Sequence, residues 1–198
     1  MRWSMDVGLL SPDAIEWLQK RYDAYKRGEV SELAICGEMV QVYRGLPVET
    51  LRKAAGAFFS ENIEPNIFPE LRELVAELQE LGTDMWCVSS TCDWVIEEGV
   101  RRFNIPADRV LAACVTCENG MATDTLRDVP TDQGKVASLK RMGITAPDAV
   151  FGNSVHDAAM LSLARTAFPV NPSPALVERS VAEGWPVFFP LSVAPAGF

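Results

Sequence analysis

Hydrophobic positions recur every three or four residues over the first third of the chain, then give way to short apolar runs separated by amphipathic stretches. Ser11-Pro12-Asp13 offers an N-cap, a first-turn proline and an acid at the positive end of a helix dipole. Ile15, Leu18, Tyr22 and Tyr25 follow at helical spacing until Gly28. Segments 31–43 and 47–59 repeat that pattern on either side of Arg44-Gly45-Leu46-Pro47, so residues 11–62 read as a helical block whose apolar faces need another surface to cover them. From Phe68 the pattern alternates. Pro69 opens a helix with the stripe Leu71, Leu74, Val75, Leu78 and Leu81, Gly82 stops it, and Met85-Trp86-Cys87-Val88 predicts a buried strand. A helix over 93–103 and a hairpin of strands 110–117 and 121–126 turning at Asn119-Gly120 come next. A helix capped by Thr131 and running through Met142, a strand at 149–151, a helix at 157–164, a strand at 167–170, a helix at 174–183 and a last strand at 187–189 complete the pattern. Strand-helix alternation of this kind predicts an α/β fold with a parallel sheet covered on both faces, in which ligands bind beyond the carboxyl ends of the strands.

Composition narrows the function classes. At 198 residues, 48% hydrophobic and 23% charged, the chain suits one globular domain or a core with a small appendage. No apolar run approaches the ~18–20 residues needed to cross a bilayer. The opening Met-Arg-Trp-Ser-Met-Asp lacks the apolar region of a secretory signal, so a cytoplasmic protein with no membrane partner is expected. A net charge of −9 with scattered lysines and arginines argues against nucleic acid. Five cysteines, an odd number mostly within apolar stretches, read as reduced thiols. Cys114-Val115-Thr116-Cys117 falls in a strand, where its two thiols face opposite ways, and no second pair at metal spacing exists. No Gly-x-Gly-x-x-Gly follows a strand, and Trp17, Trp86 and Trp94 read as core.

Three strand ends carry candidate chemistry. Ser89-Ser90-Thr91-Cys92-Asp93 is a hydroxyl cluster opening into a helix: either an anion site, built from hydroxyls and free N–H groups, or an N-cap. Thr131-Asp132-Gln133-Gly134-Lys135 puts a lysine in the first turn of a helix, where the dipole disfavours a cation; either an anion or a carboxylate lies nearby, or Lys135 is a surface residue. Phe151-Gly152-Asn153-Ser154-Val155-His156-Asp157 ends an apolar strand with small residues and hard oxygen donors, either ligands of the kind magnesium takes or a turn capping the next helix.

Serine, lysine and Asn/Asp loop in this order resemble the haloacid dehalogenase (HAD) superfamily, and within it the phosphoserine-phosphatase-like branch, over roughly residues 11–190. The resemblance implies a Rossmann-like three-layer parallel sheet with a small helical cap, the cap region at 1–64 and the α/β core at 65–198. It implies that Ser89, with Ser90 as the second choice, hydrogen-bonds a transferring phosphoryl group and that Lys135 neutralises its charge. It also implies that Asn153 and Asp157 hold Mg2+. Thr91 and His156 are candidates for contact with phosphate or substrate, His156 also reading as an exposed residue at a helix start.

The sequence departs from that pattern in two places. The family's Asp-x-Asp-x-Thr segment and the first core strand that carries it are missing from view; Asp6-Val7-Gly8-Leu9-Leu10 is the nearest candidate, with Gly8 where the second carboxylate should be. The expected consequence is a gap at the centre of the sheet, between the strands ending at Val88 and Phe151. Either residues 1–8 or a neighbouring chain fills it, or the catalytic segment lies upstream of Met1 in a longer protein. Asn153 also stands where the family usually has a metal-binding aspartate, which weakens the site by one negative charge. The expectation is a magnesium-dependent phosphomonoester hydrolase acting on a small phosphorylated metabolite, inactive if the nucleophile is absent, with homo-oligomerisation left open. The alternative is a non-catalytic phosphate-binding or interaction module.

Overall fold

The computed structural model describes residues 2–193. It divides into two compact units, the first made of residues 1–66 and 85–129, the second of residues 67–84 and 130–198.

The first unit begins with α1 (Arg2–Asp6), α2 (Pro12–Lys26), α3 (Glu32–Gln41) and α4 (Val48–Phe58). Ser11 and Ser31 cap α2 and α3 by accepting from the N–H groups of Ala14 and Ala34, each at 3.2 Å. After the helices come β1 (Cys87–Cys92), α6 (Asp93–Arg101), β2 (Val110–Glu118) and β3 (Met121–Asp128). β1 pairs with β2 in parallel, and β2 with β3 antiparallel through Asn119 and Gly120, both at positive φ, as the two-residue turn requires. Val40, Leu51, Ala55, Trp94, Ala113, Val115, Ala122 and Val129 form its core. The helical block thus covers its apolar face with α6 and the hairpin.

The second unit holds α5 (Pro69–Glu80), α7 (Gln133–Arg141), β4 (Ala149–Gly152), α8 (Ala158–Leu163), β5 (Thr166–Pro169) and α9 (Pro174–Glu183). β4 and β5 pair in parallel, with Val150 opposite Ala167 and Phe151 stacked on Phe168. Leu139, Val150, Met160, Leu161, Ala167 and Leu176 are buried there.

Several expectations change. Residues 2–6 form a helix, so they do not supply a sheet strand, and Asp6 lies exposed at its end instead of beyond a strand. The α/β class with parallel strand pairing holds, and the hydrogen-bonded ladders among the described residues are β1-β2-β3 and β4-β5. The expected strand 187–189 reduces to a single bridge between Val170 and Phe188, because Pro186 and Pro190 remove backbone donors on either side. Trp17 is 45% exposed, whereas Trp94 is buried at 3%. Cys114 is buried and Cys117 exposed, the opposite-faces reading of their spacing, and none of the five cysteines forms a disulfide. No helix among the described residues is long and apolar enough to cross a membrane.

Gly99 lets α6 lie against Phe59, whose ring carbon stands 2.6 Å from where a Cβ would be. Gly99→Ala gains helix propensity but forces that ring aside, and a net loss of about 1–2 kcal/mol is expected in urea denaturation. An unchanged or raised midpoint would show that the ring moves without cost.

Candidate active site

The second unit carries the basic and acidic side chains of the candidate chemistry. Lys135 lies in the first turn of α7 and is 4% exposed, and its Nζ is 3.1 Å from Asp157 Oδ1. A lysine at a helix N-terminus opposes the dipole; here a buried carboxylate offsets both the dipole and the desolvation. Asp157 Oδ2 in turn accepts from the N–H groups of Asn153 and Ser154, each at 2.9 Å. A buried ion pair holds only when its remaining hydrogen-bonding capacity is satisfied, and these two N–H groups do that for the acid.

The loop after β4 is wound tightly about Asp157. A Cβ on Gly152 would fall 2.7 Å from the Asp157 Cβ, so the glycine is required by close approach. Ser154 Oγ accepts from His156 N–H at 3.3 Å while Asp157 accepts from Ser154 N–H, a reciprocal capping box. The capping reading of this loop and the charged reading are therefore both realised in the same residues. The Asn153 carbonyl accepts from Ser173 N–H at 2.8 Å, and its side chain is exposed.

His156 faces Asp132 across this unit, Nδ1 to Oδ1 at 2.9 Å. Asp132, not Thr131, is the N-cap of α7, and it makes no side-chain cap bond. Its φ of 47° and ψ of −123° belong to a region L-residues rarely adopt, a strain that persists only where surrounding structure imposes it. Asp132 is a residue that sequence reading missed. Its only local signal is that aspartate tolerates positive φ better than most residues.

The first unit carries the hydroxyls. β1 runs through Ser89, Ser90 and Thr91 to Cys92, and its register against β2 slips between Ser89 and Cys92, an irregularity that re-aims side chains. The residue capping α6 is Cys92, without a side-chain bond, so the hydroxyl cluster is not that helix's cap. Ser89 Oγ accepts from Thr91 N–H at 3.1 Å, which leaves its own proton to donate. Ser90 Oγ donates to Glu32 Oε1 at 3.3 Å, which uses its proton. Of the two serines, Ser89 is the better placed as a donor to an anion.

Next along the chain, Asp93 is buried, with Oδ1 accepting from Trp94 N–H at 2.9 Å. Burial, and then the charge of Glu97, push its carboxyl up to about 6. Burial, and then Asp93, push the Cys92 thiol up to about 12, so it stays protonated and unreactive.

A protein-family model described as haloacid dehalogenase-like hydrolase matches residues 8–162. A curated protein of Streptomyces azureus named for inhibition of morphological differentiation is 25% identical over 150 residues, which is 73% of this chain. The chain spans about half (53%) of that relative's length. Among solved structures, a Bordetella pertussis Tohama I protein of unknown function matches with a TM-score of 0.76 at 22% identity, covering 94% of this chain and 87% of the other. A phosphoserine phosphohydrolase-like protein from Francisella tularensis subsp. tularensis SCHU S4 matches with 0.59 at 13% identity, over 90% of this chain and 82% of the other. At such identities these structures share the fold.

Two outcomes follow. Asp93 binds its proton more tightly folded than unfolded, its carboxyl raised from the ordinary 3.8 to about 6. Its contribution to stability is therefore largest below pH ~4, falls as pH rises to about 6 and is constant above. Asp93→Asn should flatten that part of the stability-pH curve and raise stability at pH 8 by about 2–3 kcal/mol at most. Separately, Lys135→Ala strands the buried Asp157 charge and should cost about 3–5 kcal/mol in chemical denaturation at pH 7, with Lys135→Ala/Asp157→Asn recovering part of the loss.

Proposed function

We propose that this chain, which belongs to the haloacid dehalogenase-like hydrolase family, is a phosphomonoester phosphatase of the phosphoserine-phosphatase-like branch, acting on a small phosphorylated metabolite. The observation that carries the reading is the buried Lys135–Asp157 pair at 3.1 Å. A cation held at a helix start, against the dipole and out of solvent, is an arrangement with a stability cost and an evident use, the binding of a phosphoryl group. The helix N-terminus and Lys135 place positive potential on the second unit, and Asp157 fixes the lysine's position. On the first unit Ser89, with its proton available, is a donor of the kind a phosphoryl oxygen takes, and Thr91 is a second hydroxyl beside it; on the second unit His156 is a polar group suited to phosphate or substrate.

Magnesium fits these residues in kind. Asn153 and Asp157 are hard oxygen donors, and Asn153 keeps an exposed side chain on the loop. Asp157 already serves Lys135 and two N–H groups, so Asn153 would hold the ion through its amide oxygen and Asp157 would supply negative charge beside it. When bound, magnesium supplies positive charge against developing charge on phosphoryl oxygens. A single neutral ligand in place of a carboxylate means a weak site.

One observation favours the second reading, a non-catalytic phosphate-binding module: Asp6 is exposed at the end of a helix, not aimed from a strand end as a nucleophile would be. Hydrolysis of p-nitrophenyl phosphate with magnesium decides between them. Turnover that falls about 10²–10³-fold in Lys135→Ala and less in Ser89→Ala supports the phosphatase. Phosphate binding by calorimetry without turnover supports the module. Absence of both, in a folded protein, overturns the phosphoryl reading. In an active protein, Asn153→Asp should lower the magnesium concentration for half-maximal rate by about tenfold.

A further inference from the structure

Glu32 occupies the first position of α3, directly after the capping Ser31, where the helix dipole favours a negative charge. α3 packs against β1, and Ser90 Oγ donates to Glu32 Oε1 at 3.3 Å. The carboxylate oxygen therefore takes a hydroxyl proton at the hydroxyl-bearing end of a strand, which is what a phosphoryl oxygen would do there. Both groups belong to the first unit, and the contact joins residues 58 positions apart, so it is made by the fold and not by local turn geometry.

We propose that Glu32 is an internal anion that competes with phosphoryl ligands for the Ser89–Thr91 end of β1. This rests on the reading of that strand end as phosphoryl-binding. A dianionic phosphate reaching the hydroxyls of this strand end meets the Glu32 charge held at Ser90, and like charges repel more strongly where water is partly excluded. Glu32 must withdraw from Ser90 or the ligand must accept that repulsion. In either case the observed affinity is lower than the hydroxyls alone would give, as for any protein whose competent state is only partly populated. Glu32 thereby sets how tightly the site holds its ligands: it disfavours a doubly charged phosphate or phosphomonoester more than a singly charged diester.

Glu32→Gln is the direct test, because glutamine keeps the size and an oxygen acceptor for Ser90 while removing the charge. Binding of inorganic phosphate and of singly charged dimethyl phosphate to the full chain is measured by calorimetry at pH 8, in low salt and in about 1 M sodium chloride. The expected result is about tenfold tighter phosphate binding in Glu32→Gln, a smaller gain for the diester, and a phosphate gain that shrinks in high salt as charge is screened. Glu32→Ala, which also removes the charge, should show the same sign if glutamine perturbs folding. Wild-type binding that is lost in Ser89→Ala but unchanged or weakened in both Glu32 variants overturns the proposal while the phosphoryl reading stands. Absence of phosphate binding in wild type and in both Glu32 variants, all folded, overturns both.

Discussion

A lysine and an aspartate, both almost sealed from water, are the constraint to which the candidate site answers. Lys135 sits where the dipole of α7 opposes it, so it requires Asp157; Asp157 is buried, so it requires the N–H groups of Asn153 and Ser154 as well as the lysine. Those N–H groups converge only because the loop after β4 turns sharply, and it turns sharply only because Gly152 has no Cβ to strike Asp157. One charge pair thus dictates a glycine, a capping box and the end of a strand.

The other unit deals with charge differently. Its hydroxyls stand on an irregular strand end, where the slip between Ser89 and Cys92 frees Ser90 and Thr91 from a regular ladder. The neighbouring helices bring carboxylates: Glu32 meets Ser90, and Asp93 is driven toward neutrality by burial and by Glu97, with Arg127 and Arg52 opposing the shift. Hydroxyls that can donate to an anion therefore share their surroundings with acids, and this balance is what distinguishes the strand end from a simple anion cradle. Membership of a hydrolase family says what chemistry the fold has supported; the acids around β1 set the electrostatic surroundings of its hydroxyls.

Much of the secondary structure was legible because it depends on neighbours within a turn or two. Ser11 and Ser31 cap their helices by bonding the N–H three residues on, and Asn119-Gly120 makes its hairpin because both residues accept positive φ. The need for a carboxylate near Lys135 was also legible, since a cation in a first helical turn states its own imbalance. The reading failed where a local preference was outweighed. The run 187–189 lost its ladder to flanking prolines, and Trp17 stayed exposed on a helix that buries Leu18 instead.

Periodicity, capping and turn chemistry are properties of a short stretch of chain, so the sequence by itself determined the order of helices and strands, the hairpin, and which loops hold hydroxyls, a lysine and oxygen donors. Tertiary structure alone decided which carboxylate meets Lys135, that Glu32 lies on Ser90, that Asp93 is buried enough to hold its proton, and that the strands form separate ladders. These outcomes depend on distance and on exclusion of water between segments remote along the chain. Such quantities have no counterpart in the spacing of residues.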